Sequence, residues 1–315
     1  MTSKNLIGVS VMARDAKSVI ARIEELEQMG IPAAWLTTGG AGMDALTLFS
    51  AAAMRTQRIK LGTCIIPTWP RHPIEAVQQV QVIAQLAPGR FRLGVGPSHK
   101  PMVESMFGFD FQRPLTNLRE YVTIVKKLLH EGAVDFDGFH YHAHAKIGAT
   151  APDVPVMASA LQPKTFGACG EVADGAISWV SPAAYLQKVA LPAMKAGAKK
   201  ANRPVPPLIA HAPVCVHDDP GEVRQAAREQ LSIYPRLPFY AAMLKAAGHG
   251  DVAGAWSDAM IESVVLSGDE ARVAERLKAM FAMGMSEVLV TVVTAGADKA
   301  ASQARTLKLL AQVSR

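Results

Sequence analysis

Cysteine is scarce, aromatic side chains are few and charge is thin, and each shortage closes off a class of protein. The three cysteines, Cys64, Cys169 and Cys215, stand far apart without CxxC spacing. That pattern argues against a disulfide framework and a zinc site, and it fits a reducing cytoplasm. No apolar run reaches the about 18 residues that a membrane helix needs. The opening MTSKNLIGVSVMARD has no small-residue cleavage pattern and reads as a first strand. Nor is there a run of five or six like charges, although the net charge is +6. Nucleic acid is therefore not an expected partner, and a small acidic ligand such as a phosphorylated cofactor is the better match to the surplus. HExxH, P-loop, GxSxG and paired-carboxylate patterns are missing too, which removes metalloprotease, kinase and esterase chemistry.

What the chain does have is a core. Half of its 315 residues are hydrophobic and only 19% are charged, a composition that builds a large folded interior rather than a disordered chain. Strand and helix patterns alternate along it. Strands are expected at 6–12, 33–38, 59–66, 91–96, 154–159, 175–180, 208–217 and 287–293, with helix-period segments between them. Two stretches interrupt the alternation. VDFDGFHYHAHA (134–145) reads as a hairpin, and 234–266, rich in aromatics and proline, reads as an insertion with short helices. Eight strands separated by helices predict an α/β fold, a (β/α)8 TIM barrel with insertions, as one domain over 1–315. A doubly wound sheet is the alternative.

In such a barrel the strand ends open onto one face, and that face carries the chemistry. LGVGPSH (93–99) lacks the third glycine of a dinucleotide fingerprint, so Gly94 and Gly96 read as close-packing positions. His99, just past the strand end, is the candidate for contact with cofactor or substrate. Ala158, Ser159, Ala160, Leu161 and Gln162 end a buried strand before Pro163 opens a helix. Small residues and free first-turn amides make an anion site there, to which Lys164 and Thr165 add a charge and a hydroxyl. Trp69 marks a ligand-facing loop, whereas Arg71 and His72 read as structural. Cys64 reads as a packing residue because no base stands beside it. His140, His142 and His144 alternate on a strand face without a companion carboxylate at fixed spacing, and no metal is expected.

Together, LGTCIIPTWPRHP, GRFRLGVGPSHKPMVESMFGF, RPLTNLREYVTIVKKLL, VPVMASALQPKTFGACGEVADGAISW and LIAHAPVCVHDD with YPRLPFYAAML make the chain resemble the bacterial-luciferase-like superfamily, specifically its coenzyme F420-dependent oxidoreductases. The resemblance implies a ring-binding mouth, a homodimer, and F420 as cofactor with FMN as the alternative. It places Thr63, Cys64 and Ile65 at a bulge under the ring, often with a non-proline cis peptide, and Ala158 to Gln162 at the phosphate tail. Thr37-Thr38 stand where some members carry Asp-His, which brings Thr38 to the cofactor. Ser98-His99 stand where an acidic residue is common. These departures count against a sugar-phosphate dehydrogenase. Hydride transfer to or from a small organic substrate is then implied, with His99 as general acid or base. Tyr234 and Tyr240, with Trp256, would wall the substrate pocket or pack within the insertion. An FMN-dependent monooxygenase and a non-catalytic flavin- or deazaflavin-binding protein are the other readings.

Overall fold

The computed structural model describes residues 5–250 and 252–314. Eight parallel strands close on themselves: β1 (Leu6–Ser10), β2 (Ala33–Leu36), β3 (Lys60–Thr63), β4 (Phe91–Gly96), β5 (Val156–Ser159), β6 (Gly175–Trp179), β7 (Leu208–Val216) and β8 (Glu287–Val292). Each pairs with the next, and β8 pairs with β1 from Leu6↔Glu287 to Val9↔Val290. This is the expected (β/α)8 barrel. Several strands are shorter than their sequence patterns because their last residues leave the ladder to form the mouth. Two short strands escape the sequence reading. Ile66–Pro67 lies along the end of β4, and Leu266–Gly268 lies along β7.

The second of these explains Pro213 in the middle of a buried strand. On one edge β7 contacts β6 through His211, and from Val214 that role passes to Leu266–Gly268. Pro213 sits at the changeover, where a missing N–H costs no ladder bond.

Helices begin where aspartates supply caps. Asp15, Asp44, Asp269 and Asp298 accept the amides of Ser18, Thr47, Arg272 and Ala301, each three residues on. The hairpin comprises Ala133–Asp137 and His142–Lys146. A carboxylate holds its turn: Glu120 on the helix Pro114–Lys126 accepts from the amides of Phe139, His140 and Tyr141. Gly138 turns under that carboxylate, where a Cβ would come within 2.6 Å of it.

Because successive strand residues face opposite sides, the apolar positions form two separate clusters. The larger joins strands to helices. The smaller fills the lumen with Ala33, Trp35, Cys64, Met157, Ile177, Ile209 and Leu289. Trp35 is fully buried there, and only bare backbone leaves it room. A Cβ on Gly8 would lie 2.4 Å from its Nε1, and one on Gly62 would lie 2.6 Å from its ring. The indole donates to Glu287 Oε1 at 2.9 Å, Arg92 pairs with Glu287 at 2.5 Å, and the guanidinium lies 4.1 Å above the indole ring. All these groups belong to one buried polar unit. Glu287→Gln should cost about 3–5 kcal/mol of stability, since it strands the Arg92 charge. Gly62→Ala should cost about 1–3 kcal/mol through overpacking. Urea unfolding reads both, and wild-type midpoints would show that the lumen is not packed as described.

Candidate active site at the barrel mouth

Above Trp35 the strands end in small, hydroxylic and aromatic residues. After β3 the chain bulges through a cis peptide between Cys64 and Ile65. The β2 end holds this bulge in place: Cys64 N donates to Leu36 O, Thr38 N to Ile65 O, and the Thr37 hydroxyl to Cys64 O at 2.8 Å. Thr38 turns its own hydroxyl away, accepting the amide of Ala45 at 2.9 Å. Thr63 is buried and both donates to Gly94 O and accepts from Gly94 N. Its hydroxyl staples β3 to β4. Burial pushes the Cys64 thiol up to about 12, so it stays protonated at neutral pH and packs rather than attacks.

Two non-glycine residues with positive φ set the walls. Ser98 at φ 60° precedes His99, and Val180 at φ 49° follows Trp179. A β-branched residue in the left-handed region is an outlier that the surrounding structure must enforce, and such residues gather at functional sites. Here they aim an imidazole and an indole over the strand ends. Trp179 stacks on His211, its register partner across β6 and β7, with ring centroids 4.0 Å apart. Tyr234 meets Trp179 at 5.6 Å and Tyr240 at 4.8 Å, and Tyr240 meets His99 at 5.8 Å. A continuous aromatic file therefore crosses the mouth from β7 to the β4 loop. The segment Tyr234–Ala246 completes it, tied down by Gln162 Nε2 donating to Phe239 O at 2.8 Å.

This file is uncharged at neutral pH. Burial lowers the His99 imidazole below its ordinary value and takes His211 down to about 3. Burial raises both tyrosines. His211 Nε2 and Thr291 Oγ1 share a hydrogen bond of 2.7 Å.

The remaining candidates divide. Ser159 reaches the mouth, where a Cβ on Gly96 would stand 2.2 Å from its Oγ. Ala158 and Ala160 are buried in the helix-side cluster, so only their backbones border the mouth. Leu161 O accepts from Tyr185 at 2.8 Å. Thr165 N turns back to Gln162 O, and Lys164 is exposed. Among the described residues, the amides of Leu161, Gln162 and Lys164 have no protein acceptor. Trp69 lies apart from the file, packed on Phe111 and on His140 of the hairpin turn. Trp256 is buried and donates to Leu231 O, which makes it core of the insertion. Arg71 pairs with Asp44 and His72 caps the helix Pro73–Leu86, both structural roles as read. His140 belongs to the turn and not to a strand face. His142 and His144 meet Asp137 and Asp135 on the exposed hairpin.

Sequence reasoning missed Trp179, His211 and Thr291. His211 carried no sequence signal, because β7 is buried at all nine positions and neither parity of its residues reads as the inward one. Taken together, the residues fit a fused ring with an anionic tail. The β3 bulge, with Ile65 and Ser159 packed together over Gly96, offers a seat, and three free amides lie at the start of the helix Pro163–Val172.

A family profile described as luciferase-like monooxygenase matches residues 2–287. The chain is 28% identical over 228 residues to a 5,10-methylenetetrahydromethanopterin reductase of Methanolobus tindarius, covering 72% of this chain and 69% of that one. It is 34% identical over 197 residues to an F420-dependent glucose-6-phosphate dehydrogenase of Beutenbergia cavernae, covering 60% of this chain and 58% of the relative's length. Among solved structures, an F420-dependent secondary alcohol dehydrogenase in complex with an F420-acetone adduct superposes with a TM-score of 0.80 at 17% identity, covering 99% of both chains.

The buried neutral His211 has a consequence for acid stability. Its folded value of about 3 lies below the unfolded value near 6.5, so the unfolded chain binds the extra proton as pH falls. Its stabilising contribution is whole above about pH 6.5 and declines towards pH 3. Between pH 7 and 5 this should remove about 2 kcal/mol. His211→Gln should flatten that slope in urea titrations at the two pH values; an unchanged slope would show that His211 is not held neutral.

Proposed function

The chain belongs to the luciferase-like monooxygenase family, and we propose that within it this protein is a coenzyme F420-dependent oxidoreductase acting on a small organic substrate. The observation that carries the reading is the pairing of that seat with an anion-ready helix start, 158–165, on one barrel face. When bound, the deazaflavin supplies a carbon that takes up or gives up hydride. The protein positions and desolvates the reactants and handles the proton. Cys64, Ile65 and Ser159 border the ring seat. The amides of Leu161, Gln162 and Lys164 receive the anionic tail, and the exposed Lys164 ammonium adds a positive charge to the same turn. Thr38, Thr63 and Ser98 act at one remove by holding the loops that carry Ile65 and His99.

His99 is the proton-exchanging group of this proposal. Burial keeps its imidazole neutral at pH 7, ready to accept a proton from a substrate hydroxyl, and Tyr240 beside it limits its motion. Because the imidazole's pKa lies below 6.5, the acid limb of kcat/KM for oxidation of a hydroxyl substrate falls below that pH. Tyr234 and Tyr240 cover the substrate side. Cytoplasmic residence fits the three buried free cysteines. A homodimeric, single-domain organisation over 1–315 completes the proposal.

Titration of the purified protein with F420 should show saturable binding with a shift in the coenzyme's absorbance, and FMN should bind more weakly. Oxygen uptake driven by FMN would favour the monooxygenase reading instead. His99→Ala should keep F420 affinity within a few-fold, lower turnover by about 10²–10⁴ and abolish the acid limb. Full turnover in that variant would remove His99 from the mechanism.

A further inference from the structure

The aromatic file is only the inner part of a larger apolar surface. Eleven large hydrophobic side chains are exposed among the described residues, and six of them, Met12, Met43, Met106, Phe109, Ile233 and Phe239, lie on the loops and short helices that come after β1, β2, β4 and β7. Two contacts join these segments to one another and to the β5 loop. A Cβ on Gly40, in the β2 loop, would touch Met106 at 3.4 Å, and Phe239 O is tied to Gln162. Charged groups on these segments and the β3 loop are paired or turned to solvent. Arg71 pairs with Asp44, while Lys100 is exposed and stands 3.8 Å from Glu104.

We propose that the mouth selects an uncharged substrate with an extended apolar body, carrying an alcohol or carbonyl oxygen at its reacting end. This deepens the function proposed above and rests on it. The inner wall offers faces but no full charge: Trp179, Tyr234 and Tyr240 provide area, and a neutral imidazole at His99 can hydrogen-bond a hydroxyl or carbonyl. A phosphate or carboxylate brought to this wall would lose its hydration without a cation in return, and such burial is costly. The methionine and phenylalanine rim continues the apolar surface outward. Methionine adapts to varied shapes, so the rim suits a long or branched hydrocarbon body rather than a compact polar one. A second copy of the chain is the other occupant that an exposed apolar rim could take; continuity with the aromatic file and the neutrality of both favour substrate.

The test uses full-length protein with F420 affinity measured first, so that loss of the coenzyme reading is seen separately. Calorimetry on the cofactor-free and F420-saturated protein then follows 2-butanol, 2-hexanol, 2-octanol, octanoate and glucose 6-phosphate. Affinity should rise about four-fold per added methylene along the alcohols. Octanoate at pH 8 should bind at least ten-fold more weakly than 2-octanol, and glucose 6-phosphate should show no heat of binding. Phe239→Ser should weaken 2-octanol several-fold and leave 2-butanol and F420 unchanged. Normal F420 binding combined with tight glucose 6-phosphate or octanoate binding would overturn the inference. So would a Phe239→Ser variant that loses self-association in sedimentation yet keeps wild-type 2-octanol affinity.

Discussion

An indole wedged into the lumen sets the dimensions of this barrel. Trp35 needs Gly8 and Gly62 to be bare, needs Glu287 to accept its N–H, and carries Arg92 on its face. Burying an ion pair is expensive by itself, and here the expense is offset by hydrogen bonds and by a ring that fills the narrowest layer. Cys64, Ile177, Ile209 and Leu289 pack in the same lumen cluster, and the mouth begins where they end. A slack floor would let the strand ends shift, and with them the distance between the β3 bulge and the aromatic file.

Desolvation then does for the mouth what packing does for the floor. His211 and His99 are both pushed towards the neutral form by burial alone, with no neighbouring charge needed. The same exclusion of water raises the phenols of Tyr234 and Tyr240. The result is a reaction face whose electrostatics come from dipoles: the hydroxyls of Thr37, Ser159 and Thr291, the backbone of the bulge and the amides past Leu161. Such groups are fixed in advance by the strands and need no rearrangement when charge moves.

The barrel was readable because strand and helix alternate with few exceptions, and the hairpin because Asp137-Gly138 stands between two short β-patterned runs. The site's location followed from the fold, since all strand ends open on one side. Other features were hidden for physical reasons. Trp35, Arg92 and Glu287 are separated by up to 252 residues, and only barrel closure brings β8 beside β1. His211 lies in a strand buried at all nine positions, where no polar alternation marks the inward face. The left-handed backbone at Val180 contradicts the preference of its residue type, so no propensity argument could have found it. Ala158 and Ala160 were drawn to the ligand by their place in a loop motif, but strand pleating turns their side chains to the helices.

The changeover at Pro213 marks where the barrel proper gives way to the excursion beyond β7. The excursion that carries Tyr234, Tyr240 and Trp256 leaves β7 and comes back to the same edge of it, where His217 N donates to Gly268 O at 2.9 Å. Its two ends are thus clasped by the barrel whatever happens between them, and lengthening a loop clasped in this way costs only about 0.6 kcal/mol per doubling. Cap and hydride-handling floor are consequently free to diverge at different speeds: new clientele can be recruited by rewriting the excursion while the stave assembly beneath stays unedited.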